Sequence, residues 1–98
     1  TLSFRLSPSM AVMTVRFLPR FQKQYLKLPP KIQSQFQQRL ALFLIDSTSL
    51  QLRVHPLKGR FVGYWSLNVT GDFRALFYYE DRIAVVFALI GTHSQLYG

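Results

Sequence analysis

From Val12 to Leu18 the chain reads VMTVRFL, a β-branched stretch with the near-alternation of a half-buried strand. Pro19 ends it. Beyond Arg20 the spacing lengthens: Phe21, Tyr25 and Leu28 stand four and three apart, with Lys23 and Lys27 on the other side, which predicts a short helix with one apolar face. Pro29-Pro30 breaks that helix, and Pro30 suits the first turn of a second one reaching about Ile45. There Ile32, Phe36, Leu40, Phe43 and Leu44 fall on one stripe, while Gln33, Gln37, Gln38 and Arg39 cover the rest. A stripe of Phe and Leu at helical spacing is core rather than a ligand box.

Asp46-Ser47-Thr48-Ser49 reads as the helix exit, followed by a polar, basic connection through His55-Pro56-Leu57-Lys58-Gly59-Arg60. The period then falls to two. Trp65, Leu67 and Val69 alternate with Tyr64, Ser66 and Asn68; Phe73, Ala75, Phe77 and Tyr79 alternate with Asp72, Arg74 and Leu76. Thr70-Gly71 marks the hairpin between these strands, and loop parity decides which side chains share a face. A loop of Thr70, Gly71 and Asp72 pairs Val69 with Phe73 and Asn68 with Arg74, keeping apolar and polar apart, so it is preferred to a two-residue turn. Glu80-Asp81 or Asp81-Arg82 makes the next turn, and Ile83 to Ile90, apolar on both faces, is expected to be a central strand. The pattern predicts an α+β fold: an N-terminal strand and a two-helix hairpin packed on one face of an antiparallel sheet of about four strands.

Ninety-eight residues allow one domain with one modest core. The N-terminal TLSFRLSPSMAV lacks the apolar centre of a secretory signal. Met10 and Met13 lie around the start of the first strand, so residues 1–12 are expected to be a flexible or non-native extension and residues 13–98 the single folded domain. The longest apolar run, Ile83 to Ile90, is too short to cross a bilayer, and no membrane association is expected.

Charge adds the first functional clue. Twelve Lys and Arg against four Asp and Glu give a formal net charge of +8. Such a field draws in polyanions, of which nucleic acid is the usual one for a small basic domain; solubility alone, or an acidic protein partner, are the other readings. The chain has no Cys, which excludes a disulfide scaffold, a thiolate nucleophile and Cys-ligated zinc. Two His and four scattered carboxylates offer little to any other metal, so neither metal nor cofactor is expected. Glycine-rich phosphate loops, HExxH and EF-hand patterns are absent.

Because the helices cover one sheet face, the other is expected to bind. The pattern puts Lys58, Arg60, Asn68 and Arg74 on or near it, with His55, Asp72, His93 and Tyr97 at strand ends or in loops. Cleavage of RNA needs little more: a base for the 2′-hydroxyl, a cation for the crowded phosphorane and an acid for the leaving 5′-oxygen. Histidine can carry either proton near neutrality, and an aromatic ring can stack on an unpaired base. Each residue has a duller reading. His55 before Pro56 can be only a turn residue, Asp72 can shape the hairpin by an Asx-type bond, Arg74 can pair with Glu80 or Asp81, and Tyr97 can cover the core.

The stretches FQKQYLKLPPKIQSQF, HPLKG, WSLNVTGDFRALF and IGTHSQLYG, taken in order and spacing, resemble the RelE/ParE superfamily of toxins from type II toxin–antitoxin modules, and within it the YafQ-like messenger-RNA endonucleases. The resemblance runs from about Met13 to Gly98. It implies a RelE-like fold and a cytoplasmic, ribosome-dependent, metal-free endoribonuclease that cuts messenger RNA and is silenced by a cognate antitoxin. His55 matches the His of the family's H-P-L motif, and His93 and Tyr97 match the His and aromatic of the terminal motif. Asp72 matches an acidic catalytic position, and Arg74 the arginine set against the scissile phosphate. Lys58, Arg60, Asn68 and Phe73 complete the expected RNA-binding set.

One departure stands out: YafQ itself has a further histidine where this chain has Asn68, which cannot shuttle a proton at neutral pH. The resemblance leaves two alternatives, a ParE-like toxin that inhibits DNA gyrase by binding and a catalytically decayed module that still binds its antitoxin. The expected partners are the ribosome, messenger RNA and an antitoxin with an acidic or amphipathic segment.

Overall fold

A computed structural model describes residues 2–5 and 12–98. The expected extension over residues 1–12 therefore lies largely outside the described residues; Leu2–Arg5 form a strand, β1, paired antiparallel with Val12–Phe17, β2.

After β2 the chain turns through Leu18 into helix α1, Pro19–Leu26, with Pro in the first turn, where its missing N–H would be unsatisfied anyway. Helix α2, Pro30–Ile45, follows at once. Pro30 bars Pro29 from helical backbone, so Pro29 stays extended at ψ 147° and the two helices form a tight hairpin. Tyr25 and Gln33 clasp it: the Tyr25 hydroxyl donates to the Gln33 carbonyl at 3.2 Å, and Gln33 Nε2 donates to the Tyr25 carbonyl at 2.9 Å. At the far end of α2, Asp46 Oδ1 accepts from the Thr48 amide at 3.0 Å and the Thr48 hydroxyl at 2.6 Å, turning the chain out of the helix.

The remaining elements are β3 (His55–Pro56), a 3-10 turn at Gly59–Phe61, β4 (Trp65–Asn68), β5 (Phe73–Asp81), β6 (Ala84–Thr92) and a terminal helix α3 (His93–Tyr97). They build one six-stranded sheet in the order β1-β2-β6-β5-β4-β3. The architecture is α+β, with two differences from the expected sheet. It has more strands, and it is mixed: β2 pairs with β6 in parallel, Val15 beside Val85 and Phe17 beside Phe87. The reason is the route of the chain. It leaves β2 through the helical hairpin, re-enters at the opposite edge as β3, and returns by a meander that ends beside β2, running the same way.

The hairpin between β4 and β5 has the predicted three-residue loop, with Asn68 opposite Arg74 and the Val69 amide bonded to the Phe73 carbonyl at 3.0 Å. Strand β6 is central, flanked on both sides, and Val85, Val86 and Phe87 are fully buried. Ile83 is excluded from it: the turn is Arg82-Ile83, closed by an Ile83 amide bond to Asp81 Oδ1 at 2.8 Å, and Ile83 stands 46% exposed. The register slips between Leu76 and Phe77. Ala88 is the extra residue, so that Phe87 and Ile90, three apart, both reach the core.

The core lies between the helical hairpin and one sheet face. Phe21 and Phe36 meet Phe87 at centroid distances of 5.9 and 5.4 Å, and Phe77 lies 5.2 Å from Phe43. Each fully buried Phe contributes on the order of 1.5–3 kcal/mol of transfer free energy, with about 0.5–1.5 kcal/mol more for a well-placed aromatic pair. The opposite face is not bare. Leu76 and Val86 are fully buried there, α3 folds back on β6 with Leu96 7% exposed, and Phe61, Tyr64, Tyr78 and Tyr97 form a chain of edge-on rings beside them.

Candidate active site

Strand β3 is two residues long, yet it sets His55 directly across from Ser66 of β4, and Ser66 across from Leu76 of β5. One pleat along, Asn68 faces Arg74, and Arg74 faces Gly91. Side chains alternate along a strand, so His55, Ser66, Asn68 and Arg74 share the face turned away from α1 and α2. They line a cavity of about 610 Å³. His93 and Tyr97 close it from α3, and Arg53 and Leu57 from either side of β3.

The walls are held by local bonding. The Thr70 hydroxyl accepts from the Asp72 and Phe73 amides at 3.3 and 3.1 Å, and Arg74 Nη1 donates to the carbonyls of Thr70, Gly71 and Phe73 at 2.9, 3.2 and 3.1 Å. One guanidinium nitrogen thus fastens the hairpin loop while the side chain still lines the cavity. The His93 amide donates to the Asp72 carbonyl at 3.0 Å, stitching α3 to that loop. A capping box starts α3: Gln95 N–H donates to the Thr92 hydroxyl at 3.2 Å, and Gln95 Oε1 accepts from the Thr92 amide at 2.8 Å. Gly91 leaves room for this, because a Cβ there would come 2.9 Å from Gln95 Oε1. Four residues apart on α3, the rings of His93 and Tyr97 lie 4.7 Å apart, and Tyr97 rests edge-on against Phe61 at 5.5 Å.

His55 is exposed, and its Nδ1 lies 2.7 Å from the Arg53 carbonyl. Beneath it Ser66 is 1% exposed, and its Oγ has no hydrogen-bond partner. Two guanidinium groups and two imidazoles meet here with no carboxylate among the lining residues. Such a cavity favours an anion and carries groups able to give and take protons. Among the described residues no three His, Cys, Asp or Glu side chains come together as a metal site requires, and no helix is long and apolar enough to cross a membrane.

Of the nine site residues expected from sequence, His55, Asn68, Arg74, His93 and Tyr97 are brought together. Asp72 stands exposed at the hairpin tip, outside the cavity lining, and meets the site through its backbone carbonyl. Lys58 is exposed ahead of the 3-10 turn and lines no part of this cavity. Arg60 is engaged elsewhere: its Nη2 donates to the Leu96 carbonyl at 3.2 Å and its guanidinium lies 5.0 Å from the Phe61 ring centre. Phe73 does not join the cavity. It packs against the main core on the helix side of the sheet, because it shares the parity of Val69 and not that of Arg74. Sequence reasoning passed over Arg53 and Ser66, although Ser66 shares the polar alternation of Asn68.

Comparison with known proteins bears on fold. No family model matches the chain, and no curated protein matches it. Among solved structures, the crystal structure of YafQ from E. coli strain BL21(DE3) superposes with a TM-score of 0.72 at 21% identity, covering 88% of this chain and 99% of that one. A YoeB/ParE toxin from Agrobacterium tumefaciens gives 0.70 at 15% identity, covering 83% and 99%. The toxin–antitoxin complex RelBE2 from Mycobacterium tuberculosis gives 0.60 at 26% identity, covering 83% and 98%. The chain therefore has the fold of RelE/ParE-type toxins, YafQ among them, over most of its own length and nearly all of theirs.

Proposed function

We infer that the chain is the toxin of a toxin–antitoxin module and acts as an endoribonuclease on messenger RNA. The observation that carries this reading is that both imidazoles of the chain line one basic cavity, on the sheet face opposite the helices. One imidazole takes the proton of a ribose 2′-hydroxyl; the freed 2′-oxygen attacks the adjacent phosphorus; the bond from phosphorus to the 5′-oxygen breaks; and the other imidazole protonates that oxygen. The products are a 2′,3′-cyclic phosphate and a 5′-hydroxyl. Arg74 and Arg53 oppose the charge that builds on the phosphorane. Asn68 donates a hydrogen bond and carries no proton. Tyr97 supplies a ring face against His93 on which a base can stack. Asp72 acts through its carbonyl on the backbone of His93.

The ribosome brings the message, and the net charge of +8 speeds docking on ribosomal RNA as well as capture by an antitoxin whose acidic segment covers the cavity. The deciding experiment maps the 5′ ends of cellular transcripts after induction, wild type against His93→Ala. New 5′ ends that vanish in a stably folded His93→Ala variant support the reading. Intact transcripts with DNA-damage signalling point instead to a ParE-like gyrase inhibitor, and intact transcripts with no growth arrest to a decayed antitoxin-binding module.

A further inference from the structure

Arg53 is the one non-glycine residue with a positive φ, 47°, among the described residues. Left-handed backbone is disfavoured for a residue bearing a Cβ and persists where its surroundings demand it. The surroundings here are specific. The next amide bonds tie the chain down on both sides: Leu52 is fully buried, and its carbonyl accepts from the Asn68 amide at 2.8 Å, while His55 is already in β3, opposite Ser66. Between these anchors, the left-handed turn at Arg53 presents its carbonyl to His55 Nδ1 at 2.7 Å.

A carbonyl oxygen only accepts, so Nδ1 must carry the hydrogen. We propose that Arg53 is a positioning residue whose left-handed backbone holds His55 in the Nδ1–H tautomer, leaving Nε2 as the atom that takes the proton from the ribose hydroxyl. The role of Nε2 rests on the ribonuclease reading above; the tautomer does not. Neutral imidazole free in water prefers the opposite tautomer, with the hydrogen on Nε2, and a ring in that state has no lone pair on the nitrogen remote from the backbone. The clamp therefore decides whether His55 can act as a base at the cavity. His93 is left to act as the acid.

The test reads the tautomer directly on the full, ligand-free chain, by long-range proton–nitrogen-15 correlation of the imidazoles well above neutral pH. Wild type is expected to show His55 as Nδ1–H. Arg53→Gly, which tolerates the positive φ, is expected to keep that tautomer, while Arg53→Val, whose branched side chain opposes it, is expected to lose it. Cleavage assays supply the second arm. Arg53→Val should lower kcat by about tenfold or more and shift the pH profile, whereas Arg53→Gly, which loses the guanidinium set against the phosphorane but keeps the tautomer, should lower kcat with the pH profile unshifted. A His55 ring protonated on Nε2 in the wild type overturns the proposal, as does a Val variant that keeps the Nδ1–H form. Should Arg53→Val fail to fold, the wild-type and Gly spectra still decide. An Nδ1–H ring in a wild-type chain that cuts no RNA removes the ribonuclease reading and leaves the clamp standing.

Discussion

The imidazole of His93 and the phenol ring of Tyr97 lie 4.7 Å apart across one turn of α3, tilted by 55°. Tyr97 is held in turn by Phe61, edge-on at 5.5 Å. The phenol ring thus fixes where the imidazole can stand and offers a surface for a base. Tyr97→Phe keeps both contacts and is expected to cut RNA within about threefold of wild type, whereas Tyr97→Ala removes the support and the stacking face and should lose about tenfold or more, since one base stacked on an aromatic ring contributes ~1–3 kcal/mol. Single-turnover cleavage of ribosome-bound message measures both; equal losses in the two variants would shift the role from the ring to its hydroxyl.

Ser66 separates stability from function. Its Oγ is buried without a partner, and an unsatisfied buried hydroxyl costs on the order of 1–3 kcal/mol. Ser66→Ala removes that cost and should leave the free protein as stable as wild type or up to about 1 kcal/mol more stable. If a small rotation of the Ser66 side chain lets the hydroxyl meet a phosphate oxygen when RNA fills the cavity, the same variant cleaves more slowly. Denaturant unfolding and cleavage rates, measured side by side, check it. A loss of stability would mean that Oγ has a partner in solution.

The elements that could be read from the sequence were those whose signals are local. The prolines at 19, 29 and 30 and the stripe from Phe36 to Leu44 mark both helices. Loop parity alone placed Asn68 across from Arg74 and, by the same count, Phe73 beside Val69 on the apolar face, turned away from the cavity. The parallel pairing of β2 with β6 is a meeting of residues some seventy positions apart, and no local period encodes it. Helix α3 did carry a signal, since Thr92 and Gln95 have the spacing of a capping box, but a five-residue helix is too short to show a hydrophobic repeat. The His55 clamp depends on one backbone angle at Arg53, which side-chain pattern does not report.

Asp46 predicts a pH dependence at the end of α2. Hydrogen bonds from the Thr48 side chain and then the Thr48 amide hold its carboxyl below the usual range. A carboxyl lowered on folding stabilises the protein above its unfolded value, about 3.9, and loses that contribution as pH falls through the folded one. Asp46→Ala should therefore melt below wild type at neutral pH, and the two melting temperatures should converge below about pH 4. A gap that persists in acid would assign the effect to helix termination and not to the charge.

Arg60 distinguishes a nucleic-acid contact from a structural tether. Its guanidinium reaches the Leu96 carbonyl at 3.2 Å and covers the Phe61 ring, so it binds the 3-10 turn to the last residues of α3. An exposed phosphate-binding arginine, once removed, weakens RNA binding evenly and reduces its salt dependence without altering the free protein. A tether behaves otherwise. Arg60→Ala is expected to raise hydrogen exchange several-fold at the amides of Leu96 and Tyr97 in the RNA-free chain, to loosen Tyr97 beside His93, and so to slow cleavage through kcat with the salt dependence of RNA binding unchanged. Lys58→Ala is the contrasting variant, because Lys58 is exposed and lines no part of the cavity: exchange in α3 should stay as in wild type. Unchanged exchange in Arg60→Ala together with a shallower salt dependence would return Arg60 to the RNA-binding surface.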